Sequence, residues 1–229
     1  MGRVVFLGDS IAREMQQATG SLDIHSDYTE NVLAARGDLE TWIARSLEIY
    51  DTVVVHASIL YLVRGNFNRL LRKFIQQGVS PILAHREFFL HALNASGDAL
   101  RAAESRGLPN RTVIICTAMP LDIDMLLSAP AKHDWENFEL LYLSHLWGEA
   151  DAKAAKTTCL HPRVIVAPLH RFAARYSGLR ADGMHYGSWQ DNIGHFQGVY
   201  KRFIISLLHA HTQTLLEPAG RNEAAACLE

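Results

Sequence analysis

Residues 1–14 of the chain are MGRVVFLGDSIARE, and they contain the first transition from strand to helix. Residues 3–7 are a mostly apolar strand candidate that leads directly into the turn Gly8-Asp9-Ser10, after which a helical pattern begins. A serine at a helix N-terminus can act as a nucleophile, because free N–H groups and the helix dipole favour a developing negative charge. Asp9 or Ser10 can equally be a helix cap, with Gly8 permitting the sharp turn. The triplet alone favours the cap.

Three more apolar runs have the same character, at residues 52–57, 112–118 and 163–169. Each is a continuous run rich in Val and Ile, which is typical of strands that are covered on both faces in a parallel sheet. Residues 21–26 are a weaker strand candidate. Residues 80–85 are another, although they could equally open a helix.

Helical spacing of apolar residues fills the segments between the strand candidates. These segments are residues 11–18, 39–50, 68–77, 88–106, 133–156 and 189–215. The alternation of strand and helix predicts a three-layer α/β/α sandwich with right-handed crossover connections. The pattern fades near residue 217, so we predict one domain over residues 1–216 and a mobile tail over residues 217–229.

The composition argues against several classes of protein. The 229 residues carry a formal net charge of −2 and are 48% hydrophobic, which is ordinary for a soluble globular protein. The basic residues are scattered, so we expect no electrostatic platform for nucleic acid or for an anionic membrane. Cys116, Cys159 and Cys227 are widely spaced and include no CxxC motif, which favours a reducing compartment. With no recognisable signal peptide or membrane-spanning run, the chain is predicted to be cytoplasmic.

A nucleophilic serine needs a base, and the best candidate lies far along the chain. The segment GLRADGMHYGSW, residues 178–189, contains Asp182 and His185 in a D-x-x-H arrangement. The segment lies between the last predicted strand and the last predicted helix, so we expect it at the same edge of the sheet as Ser10. An Asp in the same loop can fix the tautomer of a His that acts as a base. Alternatively, Asp182 caps a turn and His185 is only a half-exposed loop residue.

The two motifs together are more specific than either one alone. GDS directly after an N-terminal strand, with DGxH before a C-terminal helix, resembles the GDSL/SGNH hydrolase family over nearly the whole chain. The resemblance implies that Ser10 is the nucleophile and that Asp182 and His185 are the acid and base of a triad. It also implies that the backbone N–H of Gly37 joins Ser10 in the oxyanion hole. An ordinary turn glycine is the alternative for Gly37.

The third motif of the family differs in this chain. The family has G-x-N-D after the third strand, whereas the chain has HASIL at residues 56–60, which contains no Asn. HASILYL, TAMP, DGMHY and RVIVAPLHRF are similar to the PC-esterase branch of the family. His56 and Ser58 stand where that branch has Asn and Gly. Ser58 is therefore a candidate third donor in the oxyanion hole, by its backbone or by its hydroxyl.

The resemblance implies a flavodoxin-like SGNH hydrolase fold, and we predict a five-stranded parallel sheet in the order 2-1-3-4-5. It implies a serine esterase or O-acyltransferase that acts on a small acyl ester, for which an O-acetylated carbohydrate is one candidate by analogy. Acyl transfer of this kind needs no metal and no organic cofactor. The alternative is an SGNH-like protein with weak or no activity that binds a ligand or partner in the same cleft. The sequence does not indicate an oligomeric state.

Overall fold

Five strands of the described chain form one parallel sheet in the order β2-β1-β3-β4-β5. The computed structural model describes residues 2–8, 10–19, 25–30, 39–56, 78, 81–120, 144–158, 160–175, 202–204 and 206. The strands are β1 (Val4–Gly8), β2 (Ser26–Glu30), β3 (Thr52–His56), β4 (Thr112–Cys116) and β5 (Val164–Ala167). The helices are α1 (Ser10–Thr19), α2 (Leu39–Ile49), α3 (Pro81–Ser105), α4 (Ser144–Lys156) and α5 (Leu169–Arg175). The predicted fold class and strand order are confirmed.

The three central strands are buried along their whole length, as the continuous apolar runs predict. Val5, Val53 and Val113 are in register on one face of the sheet and pack in the same core cluster as side chains of α2 and α3. The connection from β1 to β2 crosses the sheet in the opposite direction to the later connections. Right-handed crossovers therefore put α1 on the face opposite α2, α3 and α4, which produces the three layers.

Strand β2 begins where the sequence interpretation ended it. The predicted run 21–26 is wrong in its bounds, because the strand is Ser26–Glu30 with the polar sequence SDYTE. This strand lies at the edge of the described sheet and pairs with β1 over all five of its residues. Backbone pairing forms the strand there, so its sequence lacks the apolar run of a central strand.

The boundaries of α3 and β5 also differ from the sequence interpretation. The segment 80–85 opens a helix, since α3 begins at Pro81, and proline suits the first helical position because it has no N–H to leave unsatisfied. Strand β5 ends at Ala167, before Pro168, which cannot donate to a strand ladder. The chain then forms the short helix α5, which the sequence interpretation missed.

Several predicted segments lie wholly or mainly outside the described residues. They are the helix at 68–77, the first part of the helix at 133–156, most of the helix at 189–215 and the tail at 217–229. Residues 202–204 and 206 are helical. No described helix is both long enough and apolar enough to cross a membrane.

Charged groups fasten the amino edge of the sheet. Asp51, just before β3, accepts the backbone N–H of Arg3 at 2.8 Å and forms an ion pair with Arg111, just before β4. The Tyr50 hydroxyl donates to Asp27 Oδ2 at 2.7 Å, and the Arg3 guanidinium lies 5.0 Å from the centre of the Tyr50 ring. The hydrogen bond to Asp27 raises the pKa of Tyr50 above its ordinary value, with burial as a second cause.

Candidate active site

Ser10 is the first residue of α1 at the carboxyl edge of the sheet. Strand β1 ends at Gly8, and α1 begins two residues later. Strand β1 lies between β2 and β3, so the chain leaves it in one direction and later returns on its other side. Ligands in open parallel sheets bind at the carboxyl ends of the strands, at this point of reversal. The local fold thus puts a serine at the position in the sheet that most often binds ligands.

Gly8 fits a position that other residues enter only with strain. Its φ angle is 151°, a conformation that side chains with a Cβ atom rarely adopt. A Cβ atom there would lie 2.8 Å from the backbone oxygen of His56 and 3.1 Å from the Cβ of Ala12. The ends of β1 and β3 are therefore packed backbone to backbone immediately before the Asp9-Ser10 step.

His56 is the last residue of β3 and is buried, with 2% of its surface exposed. It is in register with Cys116 at the end of β4. Ser58 follows two residues later, outside the described residues. Asp9, Gly37, Asp182 and His185 also lie outside them, and of Ser10 only the backbone is described. The triad and the oxyanion hole therefore stay predictions from the sequence.

A buried carboxylate holds the chain just after β4. Asp151 of α4 accepts the backbone N–H of Ala118 at 2.7 Å through Oδ2. Its other oxygen, Oδ1, lies 2.7 Å from Nε2 of His85 on α3, and both side chains are almost fully buried. A buried charge is tolerated only when it is paired and hydrogen-bonded, and both oxygens of Asp151 meet that requirement. Asp151 thus joins two helices to the end of a central strand.

The His85 ring stacks on Trp147 of α4. The ring centroids are 4.8 Å apart and the planes are tilted by 21°. Nδ1 of His85 and Nε1 of Trp147 are both buried without a hydrogen-bond partner among the described residues. The ring stack therefore stabilises the junction through apolar contact. The polar contact of this cluster is the one between His85 Nε2 and the Asp151 carboxylate.

A second polar chain joins Thr117, His170 and Glu149. The Thr117 hydroxyl oxygen lies 2.7 Å from His170 Nδ1 and accepts the backbone N–H of His170 at 3.2 Å. His170 Nε2 lies 3.1 Å from Glu149 Oε1. A carboxylate only accepts hydrogen bonds, so Nε2 carries the ring proton when His170 is neutral. Nδ1 is then the acceptor, and the Thr117 hydroxyl donates to it.

His170 is neutral at neutral pH. Burial lowers the pKa of His170 below its ordinary value of 6.5, and the nearby charge of Arg171 lowers it further. Glu149, and to a smaller extent Asp151, act in the opposite direction but do not reverse the shift. The hydrogen bond that Thr117 donates to Nδ1 is therefore present under ordinary conditions.

The sequence interpretation assigned no functional role to His85 or His170, and both are buried. It missed the partners Asp151, Thr117 and Glu149. His85 and Asp151 are 66 positions apart, so no local motif connects them. Within the described residues, no group of three or more His, Cys, Asp and Glu side chains is arranged to hold a metal ion.

No family model matches the chain, and no curated protein matches it. The solved structures that match the chain include the following two. One crystal structure matches with a TM-score of 0.49 and 12% sequence identity, covering 94% of this chain and 99% of the other. The lipase Lip_vut3 from goat rumen metagenome matches with a TM-score of 0.44 and 12% identity, covering 92% of this chain and 97% of the other. At these values, family and activity have to be argued from the residues themselves.

Proposed function

We propose that the protein is a serine esterase or O-acyltransferase of the SGNH type. The observation that carries the proposal is the start of α1 at Ser10, at the carboxyl end of β1 in a 2-1-3-4-5 sheet. This is where such sheets bind ligands, and a helix N-terminus there favours a nucleophile and a developing oxyanion. The sequence motifs around Ser10, Asp182 and His185 supply the chemistry that such a position can use.

In the proposed mechanism, the Ser10 hydroxyl attacks the ester carbonyl carbon while His185 takes its proton. Asp182 orients the His185 ring. The N–H groups of Ser10 and Gly37, with Ser58 as the third donor, hold the oxyanion of the tetrahedral intermediate. The intermediate collapses to an acyl-enzyme, and His185 gives its proton to the departing alkoxide. Water or an acceptor hydroxyl then attacks the acyl group, with His185 as base, and Ser10 is restored.

The packing at the ends of β1 and β3 supports a shared site. Gly8 lies against the backbone of His56, so β1 and β3 end side by side at the carboxyl edge of the sheet. In the sequence, Asp9 and Ser10 follow β1 directly, and Ser58 comes two residues after the end of β3. An oxyanion donor after β3 is therefore a reasonable neighbour for a nucleophile after β1.

The proposed substrate is a small acyl ester, and the resemblance to the PC-esterase branch favours an O-acetylated carbohydrate. Hydrolysis and transfer share the acyl-enzyme and differ only in the acceptor. Release of free acetate from an acetylated sugar, compared with formation of a new ester in the presence of excess sugar, separates the two reactions.

A fluorophosphonate probe tests the assignment of Ser10. We expect the probe to label the wild-type protein and p-nitrophenyl acetate to be hydrolysed, with both lost in Ser10→Ala. Ser105→Ala is the matched control, because Ser105 is exposed at the end of α3, far along the chain from the motifs. Labelling that persists in Ser10→Ala would refute the assignment. A complete lack of labelling and hydrolysis in the wild type would favour a ligand-binding protein of the same fold.

A further inference from the structure

The two residues that follow β4 are held from two directions. Ala118 donates its N–H to Asp151 of α4, and the Thr117 side chain is bonded twice to His170 of α5. The N–H of Thr117 also continues the ladder to Ala167 at 3.0 Å. Of these attachments, only the bond from the Thr117 hydroxyl to His170 Nδ1 depends directly on the protonation of the imidazole ring.

We propose that His170 is a positioning residue for the carboxyl end of β4, and that its protonation reverses the hydrogen bond between its ring and the Thr117 hydroxyl. In the neutral ring, Nδ1 accepts the hydroxyl proton of Thr117. In the imidazolium form both ring nitrogens carry protons, so Nδ1 can only donate. The Thr117 oxygen then accepts from both the ring N–H and the backbone N–H of His170, and the hydroxyl proton loses its acceptor. Thr117 is fully buried, so a hydroxyl proton without an acceptor there is costly.

The charged groups around His170 determine the pH at which this hydrogen bond reverses. Glu149 contacts Nε2 from α4, Asp151 acts from the same helix, and Arg171 is the next residue of α5. Arg171 Nε also lies 3.6 Å from Glu149 Oε1, so a charged His170 shares that carboxylate with a second cation. Burial outweighs these groups and lowers the pKa of His170. The reversal therefore occurs at a pH below the ordinary histidine pKa of 6.5.

The direction of the pH effect on stability follows from this shift. The folded protein holds the His170 proton less tightly than the unfolded chain does. The stabilisation by the neutral ring is thus fully present above about pH 6.5 and is lost as the pH falls toward the lowered pKa.

The position of Thr117 connects the reversal of this hydrogen bond to the candidate site. Thr117 follows Cys116, which is in register with His56, and the backbone of His56 packs against Gly8 at the end of β1. A change in this hydrogen bond therefore occurs at the same sheet edge where α1 begins with Ser10. The effect on catalysis rests on the proposed function, whereas the effect on Thr117 does not.

NMR of the histidine ring nitrogens in the full chain tests the hydrogen bond directly. We expect the Nε2–H tautomer for His170 at pH 7.5 and a titration midpoint below that of free histidine. Thr117→Val keeps the shape of the side chain and removes the hydroxyl proton that the charged form leaves without an acceptor, so it should raise the midpoint by about half to one pH unit. A purely packing role for Thr117 would leave the midpoint unchanged. An unchanged or lowered midpoint in Thr117→Val overturns the proposal.

The backbone amide chemical shifts of Thr117 and Ala118 test whether the reversal of the hydrogen bond affects the end of β4. In the wild type they should follow the His170 titration, and in His170→Gln they should stay flat through the same pH range. His161→Gln is the matched control, since His161 also pairs with a glutamate, at 3.4 Å from Glu104, near the opposite edge of the sheet. If the wild-type amide shifts do not follow His170, the proposal is wrong. These measurements need no activity.

An activity measurement adds the link to catalysis. If His185 and His170 both have to be neutral, the acid limb of log kcat should have a slope approaching 2 in the wild type and 1 in His170→Gln. Equal slopes, together with amide shifts that do follow His170, would overturn only the link to catalysis. Loss of all hydrolysis in the wild type would refute the proposed function and leave the NMR tests intact.

Discussion

Gly148 of α4 lies directly against His170 of α5. A Cβ atom on Gly148 would overlap the Cβ of His170 and would lie 2.8 Å from the backbone oxygen of Ala118. The missing side chain lets α4 approach the end of β4 and the start of α5 at the same time. Glu149 and Asp151 are therefore close enough to reach His170 and Ala118.

Gly148→Ala should destabilise the protein although alanine is the better helix former. The added methyl group has to push α4 away from two backbone segments, which we expect to lower the free energy of unfolding by about 1–3 kcal/mol. Gly97→Ala is the control, because a Cβ on Gly97, inside α3, meets nothing closer than 3.6 Å. That substitution should stabilise by about 0.5–1 kcal/mol. Urea denaturation measures both, and changes of the same sign would contradict the close approach.

Asp151→Ala should be among the most destabilising substitutions in the described core. It leaves the N–H of Ala118 and the buried ring of His85 without their acceptor, so we expect a loss of about 3–5 kcal/mol in the free energy of unfolding. Asp98→Ala removes an exposed ion pair with Arg101 and should change the free energy by no more than about 0.5 kcal/mol. Thermal unfolding of the two variants, side by side, tests this contrast. Similar melting temperatures would mean that the Asp151 contacts contribute little.

Gly8→Ala should lower both the stability of the protein and the proposed esterase activity. The new Cβ meets the backbone of His56 at 2.8 Å, and the φ angle of 151° is strained for alanine. Gly107→Ala is the control for strain alone, since Gly107 has a φ of 81° but nothing within 4 Å of its Cβ position. We expect Gly8→Ala to lose at least about 1 kcal/mol more than Gly107→Ala, because the clash adds to the strain. Activity at wild-type level in folded Gly8→Ala would separate this turn from the site.

Tyr50→Phe should change how stability depends on alkaline pH. Because the hydrogen bond to Asp27 raises the pKa of Tyr50, the folded protein holds the phenol proton more tightly than the unfolded chain does. The resulting stabilisation is present below about pH 10 and is lost as the pH rises through the folded pKa. The wild type should therefore lose stability in that range more steeply than Tyr50→Phe in urea denaturation series. Parallel curves for the two proteins would show that this hydrogen bond contributes no pH dependence.

The central strands were predictable because burial on both faces leaves a strong local pattern. Strand β3 begins at Thr52 as predicted, and β4 begins at Thr112. Strand β2 was not predictable in its bounds, because an edge strand is held by backbone pairing and can have polar side chains. Helix α5 was missed because its first residue, Leu169, continues the apolar run of β5 past Pro168.

The candidate site was predictable in part for a similar reason. Ser10 follows a strand and begins a helix, which is a local pattern. The groups that hold the end of β4 have no such pattern. His85 and Asp151 come from different helices, and Thr117 and His170 are 53 positions apart. The packing of α3 with α4 brings the first pair together, and the pairing of β4 with β5 brings the second pair together.

The two edges of the sheet differ in their exposure to dissolved ions. At the amino edge, the guanidinium of Arg3 and the carboxylate of Asp27 are 3.9 Å apart and roughly half exposed. At the carboxyl edge, His85 and Asp151 are almost completely out of contact with solvent. Counterions screen the first pair strongly and the second hardly at all. Raising the ionic strength should therefore weaken the ion pair at the amino edge and leave unchanged the contact at the carboxyl edge, where the proposed chemistry occurs.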